Sequence, residues 1–259
     1  MATKTKEQAA KYYKTWKSKQ PPTYERDRKL KTKYGITRQD FDKQLARQGR
    51  KCLGCRKDVD ETACVDHDHE SGRWRGILCD GCNFVLGATK DDKSTLRRLM
   101  AYLDYDLTQT NVYLIGSLRN REVQGVAASL RKVGYTVWDD WQAVGPDADD
   151  WWRDYEQAKG HNFSKALEGI SAQNTYHFDK AYIDLADMGI LVMPAGRSGH
   201  LELGYMQGQG KPTYILLDKE PERYDVMAQF ATGVCSTTEE LLENLSRVKL
   251  QESGENAVR

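Results

Sequence analysis

Two closely spaced cysteine pairs are the strongest chemical signal in this 259-residue sequence. They are CLGC at 52–55 and CDGC at 79–82. Each pair can occupy one side of a tetrahedral ion, and coordination by four thiolates leaves no open position for a substrate. The spacing predicts a structural zinc site, with buried free thiols as the alternative. The expected ligands are Cys52, Cys55, Cys79 and Cys82. The remaining cysteines, Cys64 and Cys235, are expected to be core thiols.

The segment between the pairs, VDHDHESGRWRGILC, alternates carboxylates with imidazoles. Zinc would hold the ends of this segment together, so we expect two strands around a turn at Ser71-Gly72, followed by a helix. A neutral imidazole is a suitable general base near pH 7. Carboxylate and amide oxygens are hard ligands of the kind that Mg²⁺ prefers. These residue types suit metal-dependent hydrolysis.

Residues 34–105 resemble the phage recombination endonuclease VII family of ββα-metal (His-Me finger, HNH) nucleases. The matching elements are the cysteine pairs, the DHDHESGRWRGILC run and Asn83 directly after the last cysteine. The resemblance implies that Asp66 and Asn83 bind a catalytic Mg²⁺, and that His67 activates a water for attack on a phosphodiester. It also implies a DNA substrate. Branched DNA is the substrate that the family suggests, and nicking of ordinary duplex or single-stranded DNA is the alternative.

Three further residues of this segment are candidate DNA contacts, namely His69, Arg73 and Arg75. His69 either orients the phosphate or supports the site through hydrogen bonds. The two arginines would contact backbone phosphates, which carry no sequence information, so we expect a structure-directed or nonspecific nuclease.

Charge is unevenly distributed along the chain. Residues 1–110 hold 24 Lys/Arg against 16 Asp/Glu, and the remainder holds 15 against 22. Neutralising phosphates requires clustered basic residues, so the first part is expected to face DNA, with a solvated helical surface as the alternative. The basic, aromatic stretch 6–33 is either an arm that contacts the DNA backbone or an exposed helix.

Helices are expected on both sides of the zinc segment. Thr37 can cap a helix whose Phe41 and Leu45 share one face. After Asn83, the segment DDKSTLRRLMAYLDYD has the spacing of a helix that closes the first domain. Its expected core-facing residues are Leu96, Leu99, Met100 and Leu103.

The chain is expected to form two domains. Residues 1–108 would contain the basic arm and the nuclease, residues 109–250 an α/β domain, and residues 251–259 a disordered tail. In the second part the short apolar runs NVYLIGS, YTVWDDW, MGILVMP and PTYILLD alternate with helical sequence. This pattern predicts a doubly wound parallel sheet of the flavodoxin or Rossmann type.

Residues 111–245 resemble the nucleoside 2-deoxyribosyltransferases and related nucleotide N-glycosidases. The match lies in the opening strand and in FDKAYIDLADMGILVMPAGRSGHLELGYMQGQGKP. The resemblance implies that Glu202 is the nucleophile, that Asp179, eight residues before Asp187, donates a proton to the base, and that Tyr113 positions the nucleophile. Transferases of this family commonly carry an acidic residue where this chain has Gly196, so sugar recognition is expected to differ.

Other residues of this half are candidate substrate contacts. Asp187 is one of them because it lies eight residues after Asp179, the spacing noted for the family. Gly116 offers backbone amides at the end of the first strand. Ser198 is expected at a helix N-cap, where loop amides would bind a 5′-phosphate, and His200 either assists there or caps the helix. The tryptophans of the insertion 138–163 either stack on a base or form a hydrophobic plug or interface. They are Trp141, Trp151 and Trp152.

The resulting hypothesis is a bifunctional enzyme, a Mg²⁺-dependent DNA endonuclease joined to a nucleoside or nucleotide N-glycosidic-bond transferase or hydrolase. The alternative is a phage or anti-phage nuclease effector gated by a C-terminal domain that senses or cleaves a nucleotide or NAD⁺. Expected partners are DNA and a nucleoside or nucleotide, with a homo-oligomer possible and no membrane. No apolar run approaches the ~20 residues that span a bilayer, and no secretory signal is visible, so we expect a soluble protein in the reducing cytoplasm of a bacterial or phage-infected cell.

Overall fold

The computed structural model describes residues 5–256, except for the side chains of Ala9 and of residues 248–256. Its internal contacts divide the chain into two compact units, residues 1–92 and residues 93–259. The elements of the first unit, in chain order, are α1 (Lys6–Lys17), α2 (Tyr24–Tyr34), α3 (Arg38–Arg47), β1 (Cys64–His67), β2 (Trp74–Leu78) and α4 (Asp80–Ala88).

Helices α2 and α3 build the first unit's core against the hairpin of β1 and β2. Thr37 caps α3 by accepting a hydrogen bond from the backbone N–H of Asp40, as the sequence predicted. Phe41 and Leu45 are fully buried among the apolar residues of the hairpin. The buried Gln48 ties the two parts together, because its side chain both donates to and accepts from the backbone of Ile77. A helix thereby holds β2 in place.

The register of the hairpin is irregular between Asp66 and His67, two of the predicted site residues. Strands β1 and β2 pair antiparallel around the predicted turn, where Asp68 accepts hydrogen bonds from the backbone N–H groups of Glu70 and Ser71. Asp66 pairs with Gly76, yet His67 pairs with Trp74, so β2 carries one extra residue, Arg75, at this point. Such a bulge redirects side chains locally and is common beside active sites.

The second unit is a doubly wound parallel sheet, which confirms the predicted fold class. Its strands lie in the order β4-β3-β5-β6-β7, and all four pairings are parallel. The strands are β3 (Thr110–Ile115), β4 (Tyr135–Trp138), β5 (Met188–Val192), β6 (Thr213–Leu216) and β7 (Gly233–Cys235). The helices are α5 (Lys93–Tyr102), α6 (Glu122–Lys132), α7 (Ala148–Ala158), α8 (Phe163–Leu167), α9 (Ile170–Leu185), α10 (Arg197–Gly208) and α11 (Thr238–Asn256), with short 3₁₀ turns at Asp140–Val144 and Val226–Phe230.

The sheet separates two apolar cores, and strand β3 contributes to both. Val112 and Leu114 face the core that includes residues of α6 and α11. Tyr113 and Ile115 face the opposite core, which includes residues of α9 and α10. Successive residues of a strand point to opposite faces, so this alternation places Tyr113 on the side of the sheet that α9 and α10 cover.

Helix α5 departs from the sequence expectation. It belongs to the second unit, where it packs against α9, although the sequence suggested that it closes a first domain ending near residue 108. Ala101 is its buried residue, whereas Met100 is 67% and Leu103 82% exposed, so the predicted core face is wrong. The apolar spacing is compatible with a helix, but the partner helix decides which side is covered.

The C-terminal segment also differs from expectation. Helix α11 continues to Asn256 and so includes most of the segment 251–259 that was expected to be a disordered tail. Each residue added to an existing helix gains a backbone hydrogen bond without a new nucleation cost, so helix can extend through weakly helical sequence. Residues 257–259 lie outside the described residues. Among residues 5–256, no helix is both long and apolar enough to cross a membrane.

Candidate functional sites

The four cysteines of the predicted zinc site come together in the structure. One sulfur from each of Cys52, Cys55, Cys79 and Cys82 lies within 4.8 Å of the others. The sulfurs of Cys55 and Cys79 are 3.7 Å apart. A tetrahedral zinc with Zn–S bonds of about 2.3 Å requires S–S distances of about 3.8 Å. The sulfur spacing therefore fits a structural zinc ion.

The backbone around the sulfurs also suits thiolates. The N–H groups of Cys79 and Cys82 donate to the sulfurs of Cys52 and Cys79, at 3.3 and 3.5 Å. Although burial opposes ionisation, backbone N–H groups lower the pKa of the Cys52 thiol to about 6. Gly54 is needed between the first pair, because a Cβ there would lie 2.9 Å from the Cys82 sulfur. Burial and hydrogen bonds with the other three cysteines raise the pKa of the Cys82 thiol to about 12, so the backbone favours a thiolate at Cys52 in particular.

Replacing Cys79 with serine is expected to remove bound zinc and to unfold the first unit. Structural zinc contributes ~10–16 kcal/mol of apparent binding free energy in small zinc domains, which is folding free energy. Zinc content by atomic absorption and thermal unfolding would measure the loss. Cys64→Ser is the matched control, because Cys64 lies outside the cluster and donates to Asp80 at 3.1 Å. A Cys79→Ser protein with full zinc content and wild-type unfolding would contradict the assignment.

Asp66 lies beside the bulge and is held by Arg75. Asp66 is buried, and the Nε and Nη2 atoms of Arg75 donate to its two oxygens at 2.8 and 2.9 Å. Nη2 also donates to Asp91 at 3.0 Å. The bulge thus turns the Arg75 guanidinium onto two carboxylates, and its contact with DNA phosphates stays a prediction. Arg73, in contrast, is exposed and remains available to a phosphate.

The two histidines form a perpendicular pair next to Asp66. The ring centroids of His67 and His69 are 5.1 Å apart with an interplanar angle of 89°, and Tyr34 packs edge-on against His67 at 5.3 Å. His69 Nδ1 lies 3.0 Å from a carboxylate oxygen of Asp91. Asp91 was not identified from the sequence, because the charged triplet DDK to which it belongs does not indicate a role in this site. The structure thus adds one carboxylate to the predicted set.

Asn83 lies in the first turn of α4, the helix that the second cysteine pair starts. Cys79 is the N-cap of α4, and Asn83 donates its backbone N–H to the Cys79 carbonyl at 3.0 Å. Helix α4 contacts both hairpin strands. Asp66 and Asn83 offer the oxygen donors that suit Mg²⁺, and each Asp66 oxygen keeps a lone pair beyond the one that Arg75 uses. The donor set therefore fits a hard divalent cation.

In the second unit, Asp179 and Glu202 line a cleft of about 240 Å³ between α9 and α10. The lining residues are Tyr176, Asp179, Lys180, Ile183, Leu201, Glu202 and Tyr205. Lys180 and Tyr205 connect the two helices, with Nζ and the hydroxyl 2.6 Å apart and both bonded to Asp184. The resemblance assigned the reaction to Tyr113, Asp179 and Glu202. The structure brings them close enough for the two carboxyl charges to influence each other and the Tyr113 hydroxyl.

The electrostatics of this cleft favour protonated carboxyls. Burial raises the pKa of Glu202 to about 7, and the charge of Asp179 adds to the shift. Burial also raises the pKa of Asp179 to about 6, against a hydrogen bond from Tyr113 that lowers it. The same burial and the two carboxyls raise the pKa of Tyr113, which keeps it a neutral donor. Paired carboxyls that hold a proton near neutral pH are typical of acid–base and nucleophilic sites.

The structure does not place Asp187, a predicted substrate contact, among the residues that line this cleft. It precedes β5, and its oxygens accept hydrogen bonds from the Tyr105 hydroxyl at 2.8 Å and from the Asn111 backbone N–H at 2.7 Å. Those partners lie at the amino ends of the strands, whereas α10, which carries Glu202, starts beyond the carboxyl end of β5. Asp187 ties the starts of β3 and β5 together.

The remaining candidates of the second unit have structural explanations or stay exposed. The N-cap of α10 is Gly196, so Ser198 is the second helical residue and the predicted cap is wrong. His200 Nδ1 lies 2.9 Å from the Gly196 carbonyl oxygen, and α10 has no side-chain cap, so His200 does not cap the helix. Gly116 permits close packing, because a Cβ there would be 2.9 Å from Val123. Neither Ser198 nor His200 lines the described cleft.

The three tryptophans of the insertion, expected either to stack on a base or to form a hydrophobic plug or interface, differ in their surroundings. Trp141 contacts both apolar cores and donates its indole N–H to the Leu114 carbonyl at 2.8 Å, so it is a hydrophobic plug. Trp152 is half-buried and packs edge-on against Phe163. Trp151 is 65% exposed and is the tryptophan whose face is available to a ligand or partner.

The first sequence resemblance has support from a family model and from two phage proteins. Residues 27–105 match the model of the family described as recombination endonuclease VII, which confirms the first. The Gene 59 proteins of Mycobacterium phages D29 and L5 are 37% and 36% identical over 73 residues, which is 27% of this chain. The chain spans only 44% of the length of these relatives.

Solved structures similar to this chain align with about half of it. A 2-deoxyribosyltransferase of Bacillus psychrosaccharolyticus is 16% identical with a TM-score of 0.36, over 51% of this chain and 90% of the other. The Clostridium botulinum CMP N-glycosidase is 16% identical with a TM-score of 0.33, over 53% and 99%.

Proposed function

Because residues 27–105 match recombination endonuclease VII, we propose that the first unit is a Mg²⁺-dependent DNA endonuclease. The observation that carries the proposal is the arrangement of His67 and the buried Asp66 at the bulge of a hairpin whose ends meet in a four-cysteine cluster. Asp66 and Asn83 would hold Mg²⁺, which when bound polarises a phosphodiester and stabilises negative charge on its oxygens.

The residues of the first unit have distinct roles in this proposal. His67, in its neutral form, accepts a proton from the attacking water as the water oxygen bonds to phosphorus and the bond to the leaving sugar oxygen breaks. His69, with a hydrogen on both ring nitrogens, donates a hydrogen bond to a phosphate oxygen. Arg73 neutralises a neighbouring phosphate, and the basic helices α1 and α2 extend the cationic surface. None of these contacts reads a base, which favours DNA structure over sequence.

The test is incubation of the full chain with supercoiled, linear, single-stranded and branched DNA, with Mg²⁺ or with EDTA. We expect cleavage with Mg²⁺ that EDTA abolishes, while zinc remains bound. Comparing the four substrates determines whether branched DNA is preferred. Equal cleavage in EDTA would refute metal-dependent hydrolysis at this site.

We further propose that the second unit breaks an N-glycosidic bond of a nucleoside or nucleotide, which makes the protein bifunctional. Ionised Glu202 attacks the anomeric carbon and forms a C–O bond while the bond to the base nitrogen breaks. Asp179 gives its proton to the departing base, as in hydrolysis by two carboxyls with retention. Tyr113 donates a hydrogen bond to Asp179. Water or a second base then accepts the glycosyl group, so that Glu202 is restored.

Base release is expected to show a bell-shaped dependence on pH. The reaction needs one proton on the pair, and the shared proton gives the pair, rather than either residue, two pKa values. With pKa values raised to about 6 and about 7, both carboxyls are protonated on the acid side and both are ionised on the alkaline side. The optimum should fall between these values in an initial-rate profile.

The variant Asp179→Asn tests whether loss of the Asp179 proton causes the fall in rate on the alkaline side of the pH optimum. Asparagine has no acidic proton, so the rate should fall by roughly 10²–10⁴-fold. The residual activity should rise with pH to a plateau, because only Glu202 still titrates. Its acid limb should move to lower pH, since the like charge beside Glu202 is gone. A bell of unchanged shape in this variant would exclude Asp179 as the acid.

A further inference from the structure

Asp91, which lies outside the cysteine pairs and the hairpin, links two residues of the proposed nuclease site. Asp91 accepts a hydrogen bond from Arg75 Nη2 at 3.0 Å, and its other oxygen lies 3.0 Å from His69 Nδ1. Arg75 also binds both oxygens of Asp66. The result is a continuous chain, Asp66–Arg75–Asp91–His69, that runs from the proposed metal ligand to the proposed phosphate contact.

The backbone adopts an unusual conformation to bring Asp91 there. Lys90 and Asp91 follow α4 and both have left-handed φ angles, 53° and 59°. This region costs ordinary residues roughly 1–2 kcal/mol each, and aspartate and asparagine tolerate it best. The Asp91 N–H reaches back to the Leu86 carbonyl at 3.0 Å, which closes the helix end and reverses the chain. Strain of this kind persists where the surrounding contacts compensate for it.

The contact with Asp91 determines how His69 presents its ring. An ionised carboxylate accepts but cannot donate, so the Nδ1 atom that faces Asp91 must carry a hydrogen. Hydrogen bonds from Arg75 and the charge of His69 lower the pKa of Asp91, which keeps it ionised. Nε2, across the ring from Nδ1, is then directed away from Asp91. A histidine oriented through one nitrogen by a carboxylate is prepared to act through the other.

The same carboxylate restrains Arg75. The guanidinium is 27% exposed and is shared between two carboxylates on different parts of the unit, β1 and the end of α4. Bidentate pairing fixes the plane of both partners. With Asp91 in place, Arg75 and therefore the Asp66 carboxylate have one orientation.

We propose that Asp91 is a positioning residue of the nuclease reaction, which orients His69 toward the substrate phosphate and holds Arg75 against Asp66. This inference rests on the proposed endonuclease function of the same site. Asp91 acts through its two neighbours and does not itself contact the reacting atoms.

The test compares Asp91→Asn with the wild type in the full chain. Asparagine tolerates the left-handed backbone and can still accept from Arg75, but its amide nitrogen cannot accept from His69. We expect the cleavage rate at saturating DNA to fall by roughly 10–100-fold, with zinc content and KM nearly unchanged. Asp42→Asn, which removes one exposed carboxylate on α3, is the charge-matched control and should cleave like the wild type.

A double-mutant comparison separates positioning from a general structural role. If Asp91 acts through His69, Asp91→Asn should slow the His69→Ala protein much less than it slows the wild type. A wild-type rate in Asp91→Asn, or full and independent effects of the two changes, would overturn the proposal. So would unchanged His69 ring signals in folded Asp91→Asn in the measurement that follows.

Nitrogen-15 NMR of the histidine rings tests the contact without any activity assay. In the wild type, His69 should be protonated at Nδ1 with Nε2 unprotonated when the ring is neutral, and Asp91→Asn should lose this preference. An Nε2–H tautomer in the wild type would overturn the proposal. Absence of DNA cleavage by the wild type would instead refute the endonuclease function, so the two failures are distinguishable.

Discussion

Replacement of His67 by alanine is expected to reduce Mg²⁺-dependent DNA cleavage by roughly 10²–10⁴-fold, which is the usual contribution of a general base. The attacking water then has no acceptor for its proton. His67 is half-buried between Tyr34 and His69. Single-turnover cleavage of labelled DNA at saturating enzyme measures the chemical step without contributions from binding.

The control for this variant is His177→Ala, the same substitution in the second unit, which should cleave like the wild type. His67→Ala should also keep its zinc, because His67 is not among the clustered ligands. Added imidazole should restore part of the activity, since it can replace the missing base in the space that the side chain leaves. If His67→Ala cleaves DNA at the wild-type rate, the nuclease assignment fails.

The second large effect is expected at Glu202. Glu202→Gln keeps the shape of the side chain but removes the nucleophile, so release of free base should fall by roughly 10³-fold or more. The assay incubates the full chain with deoxynucleotides, ribonucleotides and NAD⁺ and separates released bases by chromatography. Glu243→Gln is the matched control, because Glu243 is exposed in a surface pair with Arg247, which contributes little.

The outcome of the Glu202 experiment also distinguishes catalysis from sensing. Base release by the wild type that Glu202→Gln loses supports the enzyme. Tight nucleotide or NAD⁺ binding without release, together with a change in DNA cleavage when the ligand is present, supports a nuclease gated by a sensor domain. Appearance of the glycosyl group on an added acceptor base, instead of on water, identifies a transferase.

Protein stability provides an independent check on the same residue. The Glu202 carboxyl has a pKa of about 7 in the folded protein against an ordinary value of 4.5, so the unfolded state ionises first as pH rises. The stability that this difference represents is present below pH 4.5 and is lost between 4.5 and about 7. Glutamine does not titrate, so Glu202→Gln should lose less stability over this interval. If Glu202→Gln unfolds more readily than the wild type at pH 8, ionisation of Glu202 does not destabilise the folded protein.

The residues that the sequence identified most securely are those whose chemistry depends on short spacing. Two residues between cysteines suffice to place both sulfurs on one ion, so Cys52, Cys55, Cys79 and Cys82 form the predicted cluster. The DHDH run and the apolar strand patterns are equally local. They predicted the hairpin and the parallel sheet because side-chain alternation and turn chemistry operate over a few residues. Tyr113, Asp179 and Glu202 came from a family resemblance, and their catalytic roles stay a prediction.

Tertiary structure alone decided what the long-range partners are. Arg75 follows the same local pattern as Arg73, yet one extra residue in β2 turns it onto Asp66 and Asp91. Asp187 has the spacing of a catalytic carboxylate, but the packing of β3 beside β5 uses both of its oxygens. Asp91 reaches His69 only because two left-handed residues reverse the chain after α4. Contacts between residues distant in sequence depend on the register and packing of whole elements, and no local pattern of residues specifies these.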